Sequence, residues 1–270
     1  MNRLLRDPRT AFGLAIVAVV AVAALFAPWI APFDPNNPDF SAALMPPGAS
    51  NWLGGDELGR DVFSRIVYGA RASLLVGFLS VAGALVLGTA LGLCAGYFGG
   101  IVDALTMRAM DVLFAFPGIL LALGITAALG PSLTNAILAI AVVNLPVFAR
   151  LARSQALVIR ALDYVEAKRA LGFGSFDILV RTVLPNAMAP IVVQASLLFA
   201  SAIITESYLS FLGLGVQPPT PTWGNMLRNA IGFLDTAMWM AWFPGIAIFV
   251  TVLGFNLLGD GLRDRFDPRA

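Results

Sequence analysis

The sequence predicts an all-α membrane protein with six transmembrane helices, on three observations. Of 270 residues, 59% are hydrophobic and 12% charged, against about 25% charged residues in a soluble domain; the mean hydropathy is +0.83. Such a chain lacks the polar groups to cover a globule. Six stretches stay apolar over the roughly 20 residues a helix needs to cross a bilayer. None alternates like a barrel strand, so a helical bundle follows.

Composition also excludes functions. A net charge of +1 leaves no basic surplus for nucleic acid. With no histidine and one cysteine, Cys94, the chain has no disulfide framework, no usual transition-metal ligand set and no physiological-pH proton shuttle. The only lysine, Lys168, closes no glycine-rich phosphate loop.

The first span covers residues 10–30, behind Arg3, Arg6 and Arg9. Its apolar run exceeds the 7–15 residues of a signal-peptide core, and Ala27-Pro28 and Ala31-Pro32 suit a helix stop, so it reads as a retained anchor. Prolines 32, 35, 38, 46 and 47 imply an extended lead-in. Residues 56–71 then read as an amphipathic helix, with Leu58, Val62 and Ile66 on one face. Glu57 with Arg60 and Asp61 with Arg65 form the other face. This helix either lies flat on the membrane or packs on the bundle rim. Residues 1–71 thus form an anchor span plus an extracytoplasmic segment.

Residues 72–270 form a five-span core. The second span, 72–98, sets Ala84, Gly88, Gly92 and Gly96 four residues apart, which lets another helix backbone approach closely. The third, 112–129, has Arg108 and Asp111 at its inner edge, spaced for an ion pair on one helix face. The fourth is 133–149, the fifth 186–205 and the sixth 237–258. Glu206 ends the fifth span on the outer side, either as a gate attracting a cationic amine or as a simple helix-end carboxylate. Asn144, Gln194 and Ser201 either line a wet path or pair between helices. With the N-terminus inside, thirteen basic residues fall on the cytoplasmic side and only Arg60, Arg65, Arg71 and Arg228 outside. All five tryptophans then sit at or beyond the outer interface, and both termini are cytoplasmic.

The inner loop, 150–185, is too long for a plain connector. Arg150 and Arg153 continue the fourth span downward. Asp163 and Glu166 have the spacing of a capping box, Gly172 stops the short helix, and Ser175 caps a second one reaching about Val183. Pro185 starts the fifth span. The result is a compact helix–turn–helix knob.

Glu166-Ala167, then Gly172, then Leu184-Pro185 resembles the EAA loop of permease subunits in ABC-type importers. Two positions depart from that pattern. Lys168 replaces the second alanine, adding a charge to the docking face, and Thr182 stands where isoleucine is common. Other stretches are similar to the dipeptide/oligopeptide/nickel permeases, and to their second, C-type subunit in particular. They include Leu53-Gly54-Gly55-Asp56-Glu57-Leu58-Gly59-Arg60-Asp61, Ala115-Phe116-Pro117, Glu206-Ser207-Tyr208-Leu209-Ser210-Phe211, and Asp267-Pro268 near the end.

The resemblance implies a type I ABC importer permease fold and a non-catalytic chain with no cofactor of its own. ATP and magnesium would be held by two ATP-binding cassette subunits. A second homologous permease, an extracytoplasmic substrate-binding protein and membrane lipid are the other implied partners; the cell membrane of a prokaryote is the implied location. In that family the loop docks on the ATPase, which would make Asp163, Glu166, Ala167, Lys168, Gly172, Leu184 and Pro185 the coupling set. The cargo would be a di- or oligopeptide, or alternatively a nickel chelate, glutathione or another small solute. An ion-coupled secondary transporter is the rival class, but it would want ionisable groups near the midplane. The six spans as drawn contain none.

Overall fold

The computed structural model describes residues 7–266. Arg3, Arg6 and Arg269, counted above for orientation, and Asp267-Pro268 lie outside the described residues.

Helix α1 (Pro8–Leu25) starts behind Asp7, whose carboxylate accepts the backbone N–H groups of Arg9 and Thr10 and the Thr10 hydroxyl. The Thr10 hydroxyl foremost holds the Asp7 carboxyl below its usual range. The chain kinks at Phe26 and adds one turn, α2 (Ala27–Ile30). Pro28 explains the break, having no N–H and a ring that crowds the carbonyl four residues back.

Helix α3 (Val62–Phe98) corrects the first expectation. It has no separate surface helix over 56–71; 37 residues run unbroken through the second span. At 1.5 Å per residue that is about 55 Å, well beyond a hydrocarbon core of about 30 Å. Residues 56–61 are a tight turn with Gly59 at φ +75°, and Asp61 caps the helix by accepting from the Ser64 N–H. No proline stands between Val62 and Phe98 to stop it.

The third span is likewise not a straight helix over 112–129. Helix α4 (Gly100–Phe114) begins earlier, and α5 (Gly118–Leu129) leaves it at 90°. Pro117 forces the residue before it away from helical backbone. Alone, twelve residues reach only about 18 Å, so the bent pair together is needed for a crossing.

Helix α6 (Leu133–Ile159) carries Arg150 and Arg153 below the fourth span as expected. After α7 (Asp163–Ala170), α8 (Ser175–Ile178) and a π turn (Leu179–Val183) run straight into α9 (Leu184–Phe211). Helix α10 (Trp223–Ala230) is short and capped by Thr222; α11 (Trp239–Phe266) closes the bundle. Five described helices are long and apolar enough to cross a membrane, and the bent α4–α5 pair, counted as one broken span, brings the number to six.

The small-residue stripe does what its spacing predicts. A Cβ on Gly88 would stand 2.7 Å from the Leu145 carbonyl oxygen, and one on Gly96 2.6 Å from that of Arg153; Gly92 is pressed on Ala149. Side chains there would push α3 off α6. A second close seam joins α1 to α11, where a Cβ on Gly13 would lie 2.7 Å from the Leu257 Cβ. Phe199 of α9 stacks on Phe255 of α11 at 4.1 Å. Val76, Ile140, Phe148, Ile191 and Leu209 are fully buried in one core, and Val165 and Ile178 reach into it from the knob.

Candidate functional site

The knob hangs at the end of the bundle where α3 finishes and α6 overshoots. Arg160, just past α6, donates to the carbonyls of Gly96 and Tyr97 at 2.7 and 3.3 Å, satisfying the open end of α3. Helix α7 then starts without a side-chain cap. Leu162 holds the cap position and Asp163 is the first helical residue, so the expected capping box is absent. With Asp163 one position too late, its carboxylate no longer aims at the free N–H groups. Asp163 and Glu166 are instead exposed acids on the first turn, with Lys168 and Arg169 on the last. That distribution suits the helix dipole.

The stop at Gly172 is as expected. At φ +81° it lets its own N–H reach the Arg169 carbonyl at 3.0 Å and Phe173 N–H reach that of Lys168 at 3.1 Å. This is the paired closure that a left-handed residue permits. Ser175 caps nothing; Gly174 takes that place. Nor does Pro185 open a new helix. The π turn before it widens the backbone, so a proline that cannot donate is absorbed inside a continuous 37-residue helix, Ser175–Phe211.

Asp163, Glu166, Ala167 and Gly172 therefore share one exposed knob, while Leu184 and Pro185 stand apart at the root of α9. Lys168 is half-buried, unlike the exposed acids of the first turn. Its Nζ donates to Thr182 Oγ1 at 2.8 Å. Around the acids the knob exposes large apolar side chains, Leu171 and Phe176 most of all at 76% and 77%, with Tyr164 and Phe173 about half-exposed. Val165, the one buried residue of α7, plugs the knob into the core.

The expected path residues do not converge. Ser201 is exposed and Gln194 half-buried; Asn144 is buried and donates to the Ile140 carbonyl of its own helix at 3.0 Å. Glu206 is neither a water-facing helix end nor open to a passage. It is 0% exposed, and its two oxygens accept from Ser73 at 3.0 Å and Ser210 at 2.7 Å, joining α3 to α9.

Beside it, a second polar network folds the 31–61 segment down. Asp56 accepts the Arg60 N–H and Nε at 2.9 and 2.7 Å and faces Arg65 Nε at 3.4 Å. Arg65 also donates to the Pro35 carbonyl at 2.8 Å, and Glu57 accepts from Arg60 and from Asn229 of α10. The Asp61–Arg65 pair does not form; Asp61 serves as cap instead. Trp223 and Trp239 donate to the backbones of Ile66 and Gly55 at 3.1 Å.

Sequence reasoning also misplaced one ion pair and missed another. Asp111 pairs with Arg150 at 2.7 Å rather than with Arg108, and that guanidinium lies 4.2 Å over the Phe114 ring. Asp103 grips Arg153 with both oxygens, at 2.5 and 2.6 Å. The available signal was two acids on a third segment facing two arginines on a fourth; their spacings differ, so no motif marks them. Among the described residues, no three His, Cys, Asp or Glu side chains gather to hold a metal.

Residues 88–270 match the family model of the binding-protein-dependent transport system inner membrane component. The chain belongs to this family. Residues 1–47 match a second model, the N-terminal TM domain of oligopeptide transport permease C. The chain is 47% identical over 268 residues to the dipeptide transport system permease protein DppC of Alkalihalophilus pseudofirmus, covering 99% of this chain and 88% of that one. It is 44% identical to the probable D,D-dipeptide transport system permease protein DdpC of Escherichia coli, over 98% and 89%. Against the glutathione transport system permease protein GsiD of Pectobacterium atrosepticum the figures are 47%, 96% and 86%. Among solved structures, a chain of the MetNI methionine ABC transporter in an inward-facing form aligns with a TM-score of 0.61. It covers 75% of this chain and 96% of its own, at 19% identity, and so shows the fold alone.

The protein is thus a C-type permease subunit of an ABC importer, a multi-pass inner-membrane protein with the type I importer fold and no catalysis of its own. The family works with ATPase and substrate-binding components.

Proposed function

We propose that this permease forms half of a translocation pore for di- or oligopeptides, beside a second homologous permease and above two ATP-binding cassette subunits. A substrate-binding protein delivers cargo at the Trp223 end, which faces outward. The knob and both termini face the cytoplasm. ATP and magnesium bind only the cassette subunits. Their closure pushes on the knob and rocks the spans between inward- and outward-open states, alternating access by rigid-body movement.

The observation that supports this reading best is the knob itself. It is plugged into the core by Val165, while its acids and aromatic side chains are exposed where a partner can dock. Asp163, Glu166, Ala167 and Gly172 form that docking surface; Lys168, Leu184 and Pro185 connect it to the fifth span. The names of the relatives above support a peptide cargo, and the 47% identity to a glutathione permease supports a small γ-linked peptide as the second reading.

With no capping bond to lose, Glu166→Ala leaves stability within about 0.5 kcal/mol, as exposed positions usually do. It is therefore a clean probe. The assembled complex is expected to form and to lose substrate-stimulated ATP hydrolysis. Full stimulation in the variant would end the coupling role. The binding protein's retained ligands would separate dipeptide from glutathione as cargo.

A further inference from the structure

The two positions at which the loop departs from its family's pattern touch each other. Lys168 stands in the last turn of α7, and its Nζ donates to Thr182 Oγ1 at 2.8 Å. Thr182 is 5% exposed and lies in the π turn just before Pro185. The Thr182 carbonyl is held as well, accepting from Asn186 Nδ2 at 2.6 Å. Lys168 is steadied from a second side by the Phe173 ring, 5.8 Å away. Helix α7 is also held by Val165 in the core and by the exposed Arg169, which lies 5.1 Å over the Tyr97 ring at the end of α3.

A π turn is a wide, weakly determined stretch of helix, often found where function is. Placed between knob and fifth span, it is where a push on the knob would be absorbed as local bending. The bond from Lys168 ends on Thr182 within the turn and so ties α7 to it directly.

We propose that Lys168 and Thr182 are positioning residues whose hydrogen bond makes the knob and the root of α9 move as one body. Displacement of the knob then becomes tilt of the fifth span. This rests on the proposed coupling role of the knob. It also gives the two departures one physical meaning: a polar pair replaces an apolar one. Removing either partner leaves the other partly buried and unpaired, whereas replacing both by apolar groups leaves nothing unsatisfied.

The test is a double-substitution cycle on the whole complex in vesicles, with binding protein and a dipeptide, reading peptide transported per ATP hydrolysed. Lys168→Ala and Thr182→Ile are each expected to lower that ratio at least about threefold, and the double variant to return within about twofold of the parent, since a cycle exposes pairwise dependence. Spin labels at Leu171 and Ile204 should show a broadened distance distribution in each single variant, narrowed again in the double one. Thr182→Val, which loses only the hydroxyl, replaces Thr182→Ile if that variant fails to assemble.

Unchanged single variants, or losses that multiply in the double variant, would overturn the tie. Glu166→Ala run beside them separates the two claims. If it uncouples while Lys168→Ala and Thr182→Val do not, the tie alone is wrong. If none of the variants lowers the ratio, the knob is not the coupling element.

Discussion

Two sets of charged residues, one at each end of the bundle, sit in opposite surroundings. At the Trp223 end, Asp56, Arg60, Asp61, Arg65 and Glu206 are all buried, and each is met by named partners. At the knob end, Asp163 and Glu166 are exposed, and among the described residues neither side chain has a hydrogen-bond partner. A charge taken out of water is costly unless it is fully partnered, so the first end holds a single shape. An exposed, unpartnered acid costs little where it stands and is available to another molecule. The buried set ties the spans together, and the exposed acids contribute little to the fold.

That comparison breaks most readily at Arg65. It is 3% exposed, faces Asp56 and donates to the Pro35 carbonyl. Removing one partner of a buried pair costs about 3–5 kcal/mol. Because Arg60 still holds Asp56, Arg65→Ala is expected near the lower end, about 3 kcal/mol. Stepwise heating of the detergent-solubilised complex should show loss of assembled protein well below the parent's midpoint. A midpoint equal to the parent's would mean that this end is not the rigid one. Glu206→Ala comes next. It strands the Ser73 and Ser210 hydroxyls, at about 1–3 kcal/mol for buried groups left unpaired. Glu206→Gln retains an acceptor oxygen and should recover most of that loss. Equal damage from both would point to the charge rather than the hydrogen bonds.

Much of this was legible in the sequence, for physical reasons. Long apolar runs must become helices in lipid, so five crossings were readable, while the third was readable as an apolar run but not as a pair bent at Pro117. The four-residue spacing of Gly88, Gly92 and Gly96 identified a close seam because period alone puts them on one face. Gly172 was readable because few other residues take a positive φ. What failed were boundaries and partners. The charged run 56–71 looks amphipathic, but its charges are satisfied by residues such as Pro35 and Asn229, which lie far away in sequence. Asp163 has the right chemistry for a cap and sits one residue too late. Pro185 looks like a helix start until a π turn allows the helix to pass through it. Glu206 was identifiable as unusual, yet its burial depends on Ser73, 133 residues distant.

The smallest expected effects lie along α4, which starts at the end of the bundle that carries the knob. Both of its ion pairs reach α6, but Asp103–Arg153 is more sheltered, with side chains 20% and 34% exposed, than Asp111–Arg150 at 54% and 47%. Surface pairs contribute about 0–1 kcal/mol, least where water and salt screen them and most where the geometry is bidentate. Asp103→Asn should therefore cost about 1 kcal/mol and Asp111→Asn near zero, by the same reasoning. Raising salt should erase the second effect before the first, because exposed charges are screened more. Heat-step recovery of the two variants at low and high salt reads both quantities. If Asp111→Asn proved the more damaging, the bent α4 would be held chiefly at its Pro117 end, where Arg150 also covers Phe114.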